Sequence, residues 1–229
     1  MINGDSVLAI VPARGGSKRL PRKNVLPLHG KPLIVWSIEA GLRSKYIDKV
    51  IVSSEDSEVL EIARNLGIPT IDRPLALAKD DVSTFDVVEH ALTTIVEQFD
   101  ILVLLQPTSP LRNETHIDEA LNLIINKNAS AIVSVSVTEH SPLWSNTLPD
   151  DDNMESFLKD NVANVRSQDL PKFFQVNGAL YICRTKQLLH EKSFFLKKDI
   201  FAYRMSRRDS IDIDEYLDLK LAELIKSDV

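Results

Sequence analysis

The apolar runs of this chain are too short for helices and too continuous for strands with one wet face. Val7–Val11 reads VLAIV, Ile101–Leu105 reads ILVLL, and Ala131–Val137 opens on AIV. A strand that faces water on one side alternates apolar and polar residues, whereas a run like these has both faces covered. Strands buried on both faces belong to parallel sheets with helices in front and behind. The intervening segments agree, because they carry apolar residues at helical spacing. Helices are expected over Pro32–Ser44, Ser57–Leu66 with Gly67 as the stop, Thr84–Phe99, and Glu114–Asn126 with Asn113 as N-cap. Lys49–Ser53 supplies a further strand. Ala179–Cys183, Lys186–Glu191, a strand near Phe201–Met205 and a helix over Glu215–Lys226 close the chain. The fold class is therefore α/β: three layers, a mostly parallel central sheet, helices on both faces.

The rhythm fails once, from Thr138 to Asn177. This stretch holds Pro142, Pro149, Pro171 and the acidic run Asp150–Asp152, with little periodicity. An irregular insertion of that length in a compact domain is usually functional or binds a partner. The expectation is one domain over 1–229 carrying a lobe at 138–177. A chain of 229 residues buries about 70–75% of its unfolded surface, so it needs no staple. Cys183 is the lone cysteine, which forbids an internal disulfide and suits a reducing, cytoplasmic setting. Its neighbours Tyr181 and Ile182 suggest a buried strand thiol. Residues 1–6 show no leader pattern, and no apolar run approaches the roughly 18 residues of a membrane span. The net charge of −6 and pI near 5.4 argue against nucleic acid as a partner. A small polyanion fits better, because the positive charge is local.

That charge lies immediately after the first strand. Residues 7–24 read VLAIVPARGGSKRLPRKN. Arg14, Lys18, Arg19, Arg22 and Lys23 make five cations in ten residues, and no Asp or Glu occurs from Ser6 to Ile38. With 33 acids in 229 residues, a stretch that long would hold about five by chance. A strand that delivers an acid-free, Gly-containing cationic loop suits polyphosphate. Glycine lets backbone N–H groups approach the anion, and Lys and Arg balance it. The alternative is an ordinary solvated basic loop; the glycines, the strand and the missing acids together favour phosphate. The spacing is neither that of a P-loop nor of the dinucleotide fingerprint.

Two further constellations carry chemistry. Gln106-Pro107-Thr108-Ser109-Pro110-Leu111-Arg112 follows the strand Ile101–Leu105. In open α/β sheets ligands sit beyond the carboxyl ends of strands, so Gln106 and Arg112 are placed to project there. A rigid Pro-rich turn capped by Arg112 accounts for the same residues. Asp212-Ile213-Asp214 alternates, so on extended chain the two carboxylates share a face while Ile211 and Ile213 point inward. Such a pair suits magnesium, which takes one or two carboxylates together with phosphate oxygens and water. Asp214 as a simple helix cap is the alternative. Asn177-Gly178 reads equally as a tight turn. Arg73 and Arg166 lie in loops. Phe173-Phe174 and Phe194-Phe195 fit core packing, and the five histidines show no metal-ligand spacing.

Taken in order, these pieces resemble the N-acylneuraminate cytidylyltransferase (CMP-sialic acid synthetase) family over the full length. The resemblance rests on Ile10–Lys18, Pro21–Asn24, Leu105–Arg112, Asn177–Tyr181, and Asp212–Asp214 with Asp218-Leu219 and Ala222-Glu223 behind it. It implies a nucleotide-diphospho-sugar transferase fold and an enzyme that joins CTP to an acidic nine-carbon sugar. It implies that Arg14, Ser17, Lys23 and Asn24 hold the triphosphate, with Arg73 and Ser83 near the cytidine. Gln106 and Arg112 then lie at the nucleotide–sugar junction, Arg166 meets the sugar carboxylate, and Tyr181, Phe194 and Phe195 line the sugar pocket. Asp212 and Asp214 bind magnesium, and Arg14, Lys23, Asp212 and Asp214 carry the catalysis. The 138–177 lobe matches the family's dimerisation lobe, which implies a homodimer.

The chemistry implied is attack of the anomeric hydroxyl on the α-phosphorus of CTP, with pyrophosphate leaving. Such transfer needs positioning and charge neutralisation more than covalent help, and no general base stands out in the sequence. The sugar is an N-acylneuraminate, with legionaminic and pseudaminic acids as alternatives. Competing readings are a nucleotidyltransferase for a neutral sugar phosphate and a nucleotide-binding regulator without turnover.

Overall fold

The computed structural model describes residues 1–227; Asp228 and Val229, the end of the expected 1–229 domain, lie outside the described residues. The first apolar run forms β1 (Val7–Pro12). After it come a two-stranded hairpin, β2 (Pro27–Leu28) and β3 (Lys31–Pro32), then α1 (Leu33–Arg43) and β4 (Lys49–Ser54). Next are α2 (Ser57–Asn65), β5 (Thr70–Asp72), α3 (Thr84–Thr94), β6 (Ile101–Leu104), α4 (Glu114–Asn126) and β7 (Ala131–Val137). The chain closes with β8 (Phe174–Arg184), α5 (Thr185–Glu191), β9 (Ile200–Arg204) and α6 (Tyr216–Ser227).

Seven strands form one sheet in the order β5-β4-β1-β6-β8-β7-β9. All pair in parallel except β8, which runs antiparallel to both β6 and β7. β1 shows why its sequence is apolar throughout. Val7, Ala9 and Val11 pack with α1, α2 and α4 on one face, while Leu8 and Ile10 pack with α3 and α5 on the other. The expected three-layer α/β architecture is thus the one observed.

Boundaries moved where tertiary packing overruled periodicity. The helix expected over Thr84–Phe99 stops at Thr94, where Ile95 turns extended so that the chain can enter β6; Thr93 and Thr94, in the last turn, donate their hydroxyls back to the carbonyls of Glu89 and His90. Ile95 and Phe99 then both reach the second core, while Val96 is left in water. β8 begins at Phe174, so the irregular stretch is shorter than expected. Residues 138–173 leave the end of β7 and return to β8, and the base is closed where Thr138 N–H donates to the Phe173 carbonyl at 3.0 Å.

A third, smaller core sets the functional geometry. Leu20 from the cationic loop, Leu28 from the hairpin, Leu33 of α1 and Leu111 of the Pro-rich turn meet Ile213, Leu219 and Ala222. Ile213 is fully buried, as the alternation in Asp212–Asp214 requires, and its N–H donates to the Thr108 carbonyl at 2.8 Å. This cluster fastens the acidic pair to the loop and the turn. Ile213→Ala should therefore cost about 3 kcal/mol of stability in urea unfolding, through lost transfer energy plus a cavity. Ile211→Ala, at a half-buried site, should cost about 1 kcal/mol. Equal losses at the two positions would mean that the cluster has no special part in holding the acidic pair.

Candidate active site

Parallel strands end on a common edge, and the segments that follow β1, β5, β6 and β9 enclose a cleft there of about 450 Å³. Its walls include Arg14, Ser17, Lys23 and Asn24 from the loop, Arg73 and Ser83 beyond β5, Gln106 after β6, and Asp212 and Asp214 after β9. Nine of the residues singled out in the sequence are thereby brought together. Arg112 and Arg166 are not among them.

The loop is shaped by carboxylates that come from elsewhere. Gly15 donates its N–H to Glu55 at 2.7 Å. A side chain at Gly15 would collide with Asp56. Gly15 is thus needed for close approach of the turn after β4, and its amide is not turned toward a bound anion as expected; the neighbouring carboxylate of Glu55 takes it. Asn24 is buried and donates to the Arg14 carbonyl at 2.8 Å, so it braces the loop from inside. Arg22 adopts the left-handed region (φ 58°) and pairs outward with Asp56 and Glu58.

Arg14, Arg19 and Lys23 face the cleft, Lys18 stands in solvent beside it, and each of the four is paired with a carboxylate from another segment. Lys23 donates to the Ile213 carbonyl at 2.6 Å and to Asp214 at 3.0 Å, and Arg19 takes the other Asp214 oxygen at 2.9 Å. Arg14 and Lys18 share Asp80 at 2.7 and 2.5 Å. Asp214 is not the cap of α6. Asp218, in the first turn of α6, reaches back instead: its carboxylate accepts the N–H groups of Asp214 and Glu215 at 2.9 and 2.8 Å and ties the acidic segment to the helix. Asp212 keeps one side open to solvent. Crowding by the cleft wall nevertheless pushes its carboxyl above the ordinary value, and the charge of Asp214 adds to this. A hydrogen bond from Thr108 and the charge of Lys23 work the other way.

At the far end Arg73 is 5% exposed. It donates twice to Glu55, at 3.0 and 2.7 Å, in a buried ion pair. Ser83 lines the cleft while its hydroxyl serves α3: it accepts from Asp86 N–H at 3.1 Å and donates to the Asp86 carboxylate at 2.7 Å. Leu77, Val82 and Val87 give this end an apolar wall.

Gln106 stands at the centre, and the structure explains what holds it. Its carbonyl accepts from the Ser37 hydroxyl at 3.1 Å. Arg112 lies beneath, 1% exposed, donating to Ser37 at 2.6 Å and more distantly to the same carbonyl. Burial pushes the Arg112 pKa down to about 9. Arg112 therefore braces the turn from the core and does not line the cleft, contrary to the nucleotide contact expected of it, because its guanidinium is drawn inward to Ser37 and the Gln106 carbonyl. From the other side β8 approaches at Gly178, φ +73°, where a Cβ would lie 2.9 Å from the Gln106 amide oxygen. Asn177 beside it is no loose turn. Its carboxamide accepts from Ser134 at 2.5 Å and donates to Ser210 at 2.8 Å, both within the fold.

A second cavity of about 230 Å³ adjoins the first and shares Ser83, Thr84 and Gln106 with it. Tyr181, Phe194 and Phe195 line it as an aromatic set, with Tyr181 5.6 and 6.0 Å from the two phenylalanine rings. Phe194 is also core, while Phe195 is 57% exposed, so one pair splits between packing and surface. Burial pushes the Tyr181 hydroxyl pKa up, and the nearby charge of Asp212 does so further. Lys192 lines this cavity too. Arg166 lies exposed in the 138–173 excursion and lines neither cavity of its own chain. Glu55, Asp80 and Lys192 sit in no motif, and their parts are visible only once the segments meet.

Among the described residues no group of three or more His, Cys, Asp or Glu converges as a metal cage. Two carboxylates on one face, one of them with an accessible oxygen, still suit a hard cation that completes its shell with phosphate oxygens and water. Among the described residues no helix is long and apolar enough to cross a membrane.

A family model described as cytidylyltransferase matches residues 8–226. The chain is 38% identical over 221 residues to N-acylneuraminate cytidylyltransferase of Escherichia coli O18:K1:H7, covering 96% of this chain and 52% of that protein. It thus spans about half the length of the first curated relatives it matches. It is 33% identical to pseudaminic acid cytidylyltransferase of Campylobacter jejuni, covering 95% of both chains. It is also 33% identical to CMP-N,N'-diacetyllegionaminic acid synthase of Legionella pneumophila, covering 95% of this chain and 94% of that one. In fold it is similar to CMP:2-keto-3-deoxy-manno-octonic acid synthetase solved with CTP, with TM-score 0.74 and 16% identity over 97% of this chain and 99% of that one.

The buried Arg73–Glu55 pair makes a sharp test of the scaffold. Removing one partner strands a buried charge, so Glu55→Ala should cost about 3–5 kcal/mol. Replacing both, as Glu55→Leu with Arg73→Met, should cost less than the single change when followed by urea unfolding. A double variant weaker than the single one would show that the pair does not act as a unit.

Proposed function

The chain belongs to the cytidylyltransferase family, and from that premise we propose that it activates an acidic nine-carbon sugar of the N-acylneuraminate type with CTP, giving the CMP-sugar and pyrophosphate. The observation that carries this reading is the meeting of Lys23 with Asp214 at 3.0 Å, across 191 positions of sequence. It sets a cationic, Gly-containing loop against a pair of carboxylates in one cleft. Loop cations and acidic pair are the two parts that polyphosphate transfer requires.

Where each side chain lies supports the part proposed for it. Arg14, Ser17 and Lys23 bind and orient the triphosphate, and Asn24 keeps the Arg14 backbone in place for it. The apolar wall beside Arg73 and Ser83 receives the base. Gln106, common to both cavities, sits at the junction of nucleotide and sugar, and Tyr181, Phe194 and Phe195 shelter the apolar side of the sugar. Asp212 and Asp214 hold a magnesium ion, which when bound neutralises phosphate charge. The oxygen of the anomeric hydroxyl forms the new bond to the α-phosphorus, the bond from that phosphorus to pyrophosphate breaks, and the hydroxyl proton passes to solvent. Lys23, with only 11% of its side chain exposed, is a preorganised donor for charge that develops on the phosphate oxygens.

A second reading of the substrate, pseudaminic or legionaminic acid, is supported by the relatives of those names, which match 95% of this chain. Pocket shape reads the substituents in which these acids differ. Pyrophosphate release with CTP against a panel of the three acids decides between them, and release with none of them would overturn the proposed function. Lone, buried Cys183 fits a reducing, cytoplasmic setting for such an enzyme.

The 138–177 lobe is proposed as the interface of a homodimer. Leu148 and Met154 within it, and Phe174 and Val176 at its base, leave apolar side chains 45–56% exposed or nearly so (40% for Phe174). Arg166 then meets the sugar carboxylate in the neighbouring copy's cleft, where a guanidinium makes two parallel hydrogen bonds that lysine cannot copy.

In the pyrophosphate-release assay, Lys23→Ala should lower kcat/KM by about 30- to 1,000-fold, the effect of losing one preorganised donor worth roughly 2–4 kcal/mol. Asp212→Asn should abolish turnover or shift its magnesium dependence to higher concentration; undiminished activity in excess chelator would remove the metal assignment. Sedimentation at micromolar concentration should give a dimer, and Arg166→Lys should raise the KM for the sugar while leaving that for CTP unchanged. A monomer in sedimentation, or a KM for CTP that rises in parallel, would take Arg166 out of the sugar site.

A further inference from the structure

We propose that Asp80 is an internal stand-in for pyrophosphate: its carboxylate holds the seat of the outer phosphates in the resting cleft and takes it back as pyrophosphate leaves. This rests on the nucleotide-transfer reading above and goes beyond it, since it assigns a residue to the release of one product.

The five loop cations divide cleanly by partner. Arg22 turns away to Asp56 and Glu58. Lys23 and Arg19 share Asp214. Arg14 and Lys18 have one carboxylate partner among the described residues, Asp80, which gives one oxygen to each, at 2.7 and 2.5 Å. Two cations bridged by a two-oxygen anion is the arrangement that a bridging phosphate would also satisfy. Asp80 and Arg14 both line the cleft, so the pair lies where an incoming polyphosphate must land. The cations hold the Asp80 carboxyl below its usual value, Lys18 first and Arg14 second, so it is charged at neutral pH and competes as an anion.

The contact is built to exchange. Arg14, Asp80 and Lys18 have 41%, 49% and 81% of their side chains exposed, in that order. Ion pairs in that setting are weak. A ligand with several phosphate charges can displace a single carboxylate, and the carboxylate can return when those charges depart. Asp80 acts through Arg14 and Lys18, which makes it a positioning residue. A nucleotide with only an α-phosphate need not disturb the pair. Asp80 therefore weakens the hold on CTP and on pyrophosphate while leaving CMP untouched, and it shortens the stay of the leaving group.

The test is calorimetric titration of the whole protein with inorganic pyrophosphate, then with CTP and CMP, for wild type, Asp80→Asn and Asp80→Glu. Asp80→Asn should bind pyrophosphate and CTP about 3- to 10-fold more tightly, bind CMP with unchanged affinity, and be inhibited by pyrophosphate at correspondingly lower concentration. Its pyrophosphate affinity should also fall more steeply with added salt than that of wild type, because solution anions must then balance Arg14 and Lys18 in the empty cleft. Asp80→Glu keeps the carboxylate and should behave as wild type. Equal pyrophosphate affinity in wild type and Asp80→Asn, with CTP still bound, would overturn the role of Asp80 alone. Weaker binding by Asp80→Asn would make Asp80 a support for Arg14 and likewise overturn it. Absence of pyrophosphate and CTP binding in all three proteins would overturn the nucleotide-transfer reading and this inference with it.

Discussion

A loop with five cations and no acid of its own keeps a compact shape only where other segments bring carboxylates to it. Like charges so close repel, and burying any of them unpaired is costly. Here the acids arrive from three places. Glu55, Asp56 and Glu58 follow β4, Asp80 lies beyond β5, and Asp214 comes from near the end of the chain. Asp80 and Asp214 line the cleft and set its walls against the loop, while Glu55, Asp56 and Glu58 tie the loop to the turn after β4. The apolar cluster of Leu20, Leu111 and Ile213 then locks the loop, the Pro-rich turn and the Asp212–Asp214 segment together from beneath. Charge complementarity sets where the walls face, and burial sets how firmly they stay.

Much of the fold was legible because the apolar runs admit one arrangement. VLAIV can be satisfied only by a strand with helices on both sides, and β1 sends alternate residues to two separate cores. One helix start, that of α4, was legible from capping chemistry. Asn113 accepts from His116 N–H at 3.2 Å, as its position before α4 suggested. The end of α3 was not legible, since Ile95, Val96 and Phe99 continue a helical spacing. The chain leaves the helix there because it must turn to enter β6, and only the tertiary path contains that constraint. The length and direction of β8 were hidden for the same reason. Strand sense depends on the connection that precedes it, and residues 138–173 have no periodicity to read.

Site residues were legible by type and blurred in direction. Arg14, Lys23, Asp212 and Asp214 do line one cleft. Asn24, Gly15 and Arg112 belong to the same segments but spend their contacts on the fold, although Asn24 also reaches the cleft wall. Asn24 holds a backbone carbonyl, Gly15 makes room for Asp56, and Arg112 braces Gln106 through Ser37. A motif records which residues a segment needs without separating those that meet a ligand from those that hold the segment in shape. Burial makes that separation: Asn24 and Arg112 are below 8% exposed, whereas Arg19 has 67% of its side chain in solvent.

The single antiparallel strand accounts for how the two cavities come to adjoin. Had β8 run parallel to β6, its carboxyl end, near Cys183 and Arg184, would lie at the cleft. Running the other way, it pairs Tyr181 with Leu104 at the last position of β6 and carries its own earlier residues past the end of β6, where they pair with β7 alone. Gly178 is thereby brought against Gln106, and Tyr181 stands beside the cationic cleft rather than at the far end of the sheet. The same reversal fixes the excursion. β7 ends at Val137 opposite Phe174, on that same edge, so residues 138–173 leave and rejoin the sheet on the side of the cleft. Because β9 parallels β7, with Arg204 opposite Val135, the chain leaving β9 also emerges on this edge and leads to Asp212 and Asp214. One change of strand sense thus gathers the aromatic cavity and the excursion at the edge where the cationic loop and the acidic pair already meet.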